Sequence, residues 1–161
     1  MRSLTTFFHD GHLLVVDMPV DTTGRTERRA ALPRRDWSEN TVRAALANRA
    51  FSPISLEGIW DGPGFRVAIL PDSTTDRRLL AVVVRDDSAR YEPGQVRGTF
   101  EQVNGQWRAT VWDNDYLPRT SPVEISRGAL MRMAPTIWRR VWPSVPDAGL
   151  DAIDVRRPSI R

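Results

Sequence analysis

The sequence predicts a mainly β protein: an antiparallel meander closing into a barrel, preceded by a short helix–strand–helix segment. Three observations predict this. Eight short segments after Pro53 have strand character, turn chemistry separates them at regular intervals, and several alternate apolar with polar residues. The segments are Leu56–Trp60, Phe65–Leu70, Leu79–Arg85, Gln95–Gln102, Gln106–Trp112, Pro122–Ser126, Ala129–Met133 and Thr136–Trp142. Between them stand Asp61-Gly62-Pro63-Gly64, Glu92-Pro93-Gly94 and similar punctuation. Asn104-Gly105 joins two alternating segments and is a strong two-residue hairpin signal.

In Val96-Arg97-Gly98-Thr99-Phe100 and in Trp107-Arg108-Ala109-Thr110-Val111, apolar and polar residues exchange places with period two. That pattern sets one face in solvent and buries the other. Leu79–Val84 is apolar on both faces, so it is expected to be covered by the helix upstream or by a neighbouring domain.

Upstream of the meander, Leu4, Phe7 and Phe8 share a helical face, so residues 1–9 read as the last turns of a helix. Asp10-Gly11 is a turn, and Leu13–Met18 is a short buried strand closed by Pro19. Asp21–Arg35 is polar, rich in arginine and expected to be an exposed loop. Asp36 is placed to cap a helix over Trp37–Arg49, with Glu39 three residues on and Val42, Ala45 and Leu46 as its apolar stripe. The organisation expected is therefore an N-terminal segment over 1–54, a barrel over 55–143 and a tail or linker over 144–161.

Composition narrows the chemistry. A chain of 161 residues with 40% hydrophobic residues and six tryptophans has enough material for one folded domain. All 23 basic residues are arginine, and the net charge is only +3. The absence of lysine excludes a Ser-Lys dyad or Schiff base within the chain. The absence of cysteine excludes disulfides, thiolate catalysis and Cys-ligated zinc, and leaves the redox compartment open. No signal peptide opens the sequence, and no apolar run approaches the ~20 residues of a membrane-spanning helix. The arginines at 25–35 lack interleaved aromatics and include Glu27, so nucleic-acid binding is not expected.

The run Phe7-Phe8-His9-Asp10-Gly11-His12-Leu13-Leu14-Val15-Val16 looks most like part of an active site. A histidine at a turn-to-strand junction is held firmly yet reaches solvent, as a general base requires. His12 beside Asp10 is the candidate; the same turn also serves simply to close a helix-to-strand junction. A zinc site from His9 and His12 would need further ligands, with Asp10 and Asp17 nearby, and no metal or other cofactor is expected. Ser55, Ser73, Ser88, Ser121, Ser126, Ser144 and Ser159 fall in turns or loops, none in a Gly-x-Ser-x-Gly elbow. Asp113-Asn114-Asp115 reads as a loop before it reads as a cation site.

Gly58-Ile59-Trp60 at the head of the first strand resembles the Gly-x-Trp of lipocalin-type barrels. That likeness implies an arginine near the end of the last strand lying across the tryptophan, here Arg139 or Arg140, as a structural closure. The rings expected inside are Trp60, Phe65, Phe100, Trp107, Trp112 and Trp138, which favours a filled lumen over one holding a ligand.

Two stretches resemble the tail-specific, or C-terminal-processing, serine peptidases, which include tricorn-core enzymes. One is Phe7–His12. The other is the ordered set Leu56–Trp60, Phe65–Leu70, Tyr91–Val96 and Trp138–Pro143, similar to an insert domain of some bacterial members. Together they cover roughly residues 4–143. The resemblance implies a non-catalytic N-terminal portion, inactive alone, whose partners are a missing catalytic core domain and a peptide or protein substrate. In tricorn-like members the matching histidine serves a serine of the core, which gives His12 its role; in others, serine and lysine act and the histidine is structural. The resemblance also implies a periplasmic or extracellular setting. The competing expectation is a free-standing barrel that binds a small apolar ligand or a protein partner.

Overall fold

The computed structural model describes residues 23–50, 52–73, 78–133 and 135–145. His9, His12, the Asp10-Gly11 turn, the Leu13–Met18 strand and the helix expected before them lie outside the described residues. So does most of the expected tail.

Nine antiparallel strands form one sheet: β1 (Gly58–Gly62), β2 (Phe65–Pro71), β3 (Arg78–Asp86), β4 (Val96–Val103), β5 (Gln106–Trp112), β6 (Pro118–Pro122), β7 (Glu124–Ser126), β8 (Leu130–Met133) and β9 (Thr136–Trp142). Among the described residues two helices precede them, α1 (Arg25–Ala30) and α2 (Glu39–Leu46). The order across the sheet is β6-β5-β4-β3-β2-β1-β9-β8-β7. Its edge strands β6 and β7 are consecutive in the chain, with Val123 alone between them, and the Val123 N–H still donates to the Trp107 carbonyl at 3.0 Å. The sheet thus curls into a nearly closed barrel, as the strand pattern predicts.

The Asn104-Gly105 hairpin forms as expected: Val103 pairs with Gln106, and the two turn residues have φ of 52° and 77°. β6 has no counterpart in the strand pattern of the sequence apart from Pro122. It is exposed nearly throughout, with a proline at each end, so it carries no apolar alternation to betray it.

The turns at 62–65, 86–96, 112–118 and 133–136 gather at one end of the barrel, as the antiparallel pairings require. The opposite end is closed. There the Trp60 indole N–H donates to the Leu56 carbonyl at 2.9 Å, and Arg140 lies over the ring. Gly58 has a φ of 149°, and a Cβ there would stand 2.4 Å from the Trp142 carbonyl oxygen, so β1 and β9 meet only because it is glycine.

β3 is covered on both faces. Leu79, Ala81 and Val83 join the barrel interior, while Leu80 and Val82 pack outside with Val96 and Trp37. The cover over Leu80 and Val82 comes from Trp37, just before α2, and from Trp112 of β5. The helix itself sets Val42 and Leu46 against Ile59, Ala68 and Leu70 of β1 and β2. α2 is shorter than expected and is capped by Ser38, not Asp36: the Ser38 hydroxyl accepts from the Thr41 N–H, and the Thr41 hydroxyl accepts from the Ser38 N–H.

The arginine-rich stretch is not a free loop. α1 forms within it, Leu32 is buried in the barrel cluster, and Arg34 pairs with Gln95 in an isolated bridge. Arg28 donates to the Asp115 carbonyl at 2.9 Å, and Arg34 reaches the Glu92 carboxylate at 2.6 Å. Partly exposed arginines thus tie this arm to the loops at the open end.

Candidate functional site

The open end leads into a cavity of about 280 Å³. Its walls are mostly apolar: Phe65 and Val67 of β2, Phe100 of β4, Met131 and Met133 of β8, and Trp138 of β9. Phe65 meets Trp138 edge-on, with centroids 4.9 Å apart, and Tyr91 and Tyr116 continue the aromatic wall towards the rim. The lumen is therefore filled at the closed end and hollow at the other, which corrects the expectation of a core packed throughout. Trp60, Phe65, Phe100 and Trp138 are buried in the barrel cluster, whereas Trp107 and Trp112 are only partly buried.

Arg97 lines this cavity. Simple alternation would place it on the wet face with Thr99. Between β3 and β4, however, Ala81 pairs with Gly98 while Val82 pairs with Val96, so Arg97 is the extra residue of a bulge. A bulge re-aims its side chain, and here it turns a guanidinium inwards. Gly98 beside it is also required: a Cβ there would stand 2.8 Å from Val111 and 2.9 Å from the Thr110 carbonyl oxygen. A lone glycine in a strand is the one sequence signal that pointed to this irregularity.

The Arg97 guanidinium lies 4.7 Å from the Tyr91 ring centroid and 5.6 Å from that of Phe65. Its Nε and Nη1 are buried without a hydrogen-bond partner among the described residues. Burial pushes its pKa down from the usual value, opposed by the field of Tyr91 and Asp113.

The polar groups around it are already engaged. Asp113 accepts from the Leu117 N–H at 3.0 Å, the Asp115 N–H at 2.9 Å and Arg119 Nε at 3.0 Å. Burial alone would raise the Asp113 pKa; these donors outweigh it and hold the carboxyl below its usual value. Arg90 donates to the Asn114 side chain at 2.9 Å. The Tyr91 hydroxyl donates to the carbonyls of Trp112 and Asp113, and burial pushes its pKa up to about 12.

The described residues include neither histidine, so no serine–histidine pair forms among them. Ser121 lines the cavity, while Ser88 is bound to Asp86 and Ser55 accepts from the Glu57 N–H. Among the described residues no cluster of His, Asp and Glu is arranged to hold a metal ion, and no helix is long and apolar enough to cross a membrane. The Asp113-Asn114-Asp115 turn spends its carboxylates on the loop itself and on Arg119 and Arg25.

No protein-family model, curated protein or solved structure matches the chain. The barrel thus has one end sealed by Trp60 and Arg140 and the other open onto an apolar hollow with the half-buried Arg97 at its mouth.

Proposed function

We propose that this chain is a binding module, a lipocalin-like barrel that takes a small, largely apolar ligand through its open end. One observation carries the reading: the cavity of about 280 Å³ between Phe65, Phe100, Met131 and Trp138, open at the mouth and closed below. Ligand pockets are concave, mostly apolar and furnished with few polar groups, and this one has that make-up. Binding to the folded state alone raises the melting temperature. A panel of small hydrophobic compounds should therefore contain stabilisers, and Ala81→Phe, which fills the cavity, should abolish their effect. A panel with no stabiliser at all would sink the reading.

A second reading makes the same barrel the non-catalytic portion of a tail-specific serine peptidase. Its support is where the resembling pieces lie. Leu56–Trp60 and Trp138–Pro143 meet through β1 and β9, Phe65–Leu70 pairs next to them, and Tyr91–Val96 leads into β4 at the mouth. In this reading His12 is the general base for a serine on a catalytic core, and the barrel serves that core. The test is peptide hydrolysis by a form joined to such a core: His12→Ala should abolish it, and unchanged hydrolysis would remove His12 from the role.

A further inference from the structure

Resting on the first reading above, we infer that the ligand of this barrel is a small amphipathic carboxylate, its head group held by Arg97 and its apolar body lying in the cavity. Arg97 leaves a charge imbalance at the mouth of the cavity. A buried charge is costly unless it is paired or hydrogen-bonded. Arg97 has neither compensation among the described residues, although its Nε and Nη1 are out of solvent. Stacking on Tyr91 and Phe65 offsets only part of that cost.

The charges facing Arg97 do not supply a counter-ion. Among the described residues Asp113 is the one carboxylate lining the cavity, and it is taken by Arg119 and two backbone N–H groups. Arg90, Arg97 and Arg119 line the same cavity, three cations to one anion. Tyr91 and Tyr116 both turn their hydroxyls to backbone carbonyls, of Trp112 and Asp113 for one and of Arg90 for the other. The mouth is thus electropositive with one unsatisfied guanidinium at its apolar edge.

A guanidinium matches the planar geometry of a carboxylate, and the pair is stronger in a site of low dielectric. Size limits the rest of the ligand. A cavity of about 280 Å³ has room for about nine water-sized groups, the scale of a medium-chain or single-ring acid rather than a long acyl chain.

The experiment compares decanoate with decan-1-ol by calorimetric titration of the whole chain and of Arg97→Met and Arg97→Lys. Decanoate should bind the unsubstituted chain, and Arg97→Met should weaken it about tenfold to a hundredfold while leaving decan-1-ol unchanged. Arg97→Lys, which keeps the charge, should fall between. Circular dichroism melts show whether each variant is folded. Equal binding of acid and alcohol, with Arg97→Met altering neither, would overturn the carboxylate assignment and leave the apolar-ligand reading standing. Binding of neither compound to the folded chain would overturn both. If Arg97→Met does not fold, Arg97→Lys and the acid–alcohol difference decide the matter alone.

Discussion

The guanidinium of Arg140 lies over the indole of Trp60, 4.3 Å from the ring centroid, and seals the end of the barrel opposite the cavity. Arg140 is 5% exposed and donates to the Gly128, Glu57 and Ser55 carbonyls. It therefore ties the β7–β8 turn and the segment before β1 to the last strand. Burial pushes its pKa down to about 10, still far above neutrality, so the group stays charged and the carbonyls keep their donor. Arg140→Met should cost about 3 kcal/mol, because three carbonyls lose their partner at once. At about 3 °C per kcal/mol for a chain of this size, the melt should move down by roughly 10 °C. Arg140→Lys should recover only part of the loss, since an ammonium lacks the flat fork. A melt unchanged by Arg140→Met would show that the closed end holds without it.

The cap of α2 gives a contrast between neighbouring residues. Ser38→Ala removes the acceptor for the Thr41 N–H and half of a reciprocal pair, and should cost about 1 kcal/mol. Asp36→Ala should cost little, because Asp36 is exposed and lies outside the cap. Chemical denaturation of both variants tests this. A loss at Asp36 equal to or larger than that at Ser38 would contradict the observed cap.

These two sites show what the sequence could and could not disclose. The barrel was legible because period-two alternation, Asn104-Gly105 and the Gly58-Ile59-Trp60 segment all act over a few residues. The likeness of Gly58-Ile59-Trp60 to lipocalin-type barrels also implies a closing arginine, Arg139 or Arg140, and Arg140 is the one over the Trp60 ring. The helix cap is ambiguous in the sequence, since Asp36 and Ser38 are both good cap residues and only backbone geometry chooses Ser38. The cavity was hidden for a different reason. Ring-rich strands suggest a filled lumen, but ring count does not report how the rings divide between the two ends. Arg97 was least visible of all, because a single inserted residue reverses the face that alternation assigns. The arm at 25–35 looked solvated because its one core anchor, Leu32, stands alone among arginines that find partners far away in sequence.

Asp113 makes the rim sensitive to acid. Its carboxyl is held below the usual value by the Leu117 and Asp115 N–H groups and by Arg119, against the effect of burial. A carboxyl with a depressed folded pKa contributes stability that is fully present above its unfolded value of 3.8 and is lost as pH falls through the folded value. Asp113→Asn should therefore be less stable than the unsubstituted chain at pH 7, by about 1 kcal/mol. The gap between the two should close only in strong acid. Melting curves from neutral to acid pH test this; a gap that is independent of pH would mean the Asp113 charge does not stabilise the rim.

Tyr91 should titrate late in alkali. Its ring is packed between Phe65 and Tyr116 under the Arg97 guanidinium, and its hydroxyl donates to the Asp113 carbonyl at 2.6 Å. Burial is the main cause of the rise in its pKa to about 12, and the Arg97 charge works against it. Phenolate absorbance should therefore show the Tyr91 share delayed until about pH 12. Tyr91→Phe should remove that late share. The sign of the linked stability follows from the same shift: between pH 10 and about 12 the unfolded tyrosine has lost its proton while the folded one keeps it. Across that window the folded state binds more protons, so stability falls as pH rises. If Tyr91→Phe leaves the absorbance change near pH 12 intact, Tyr91 does not sit in the closed, desolvated wall described for it.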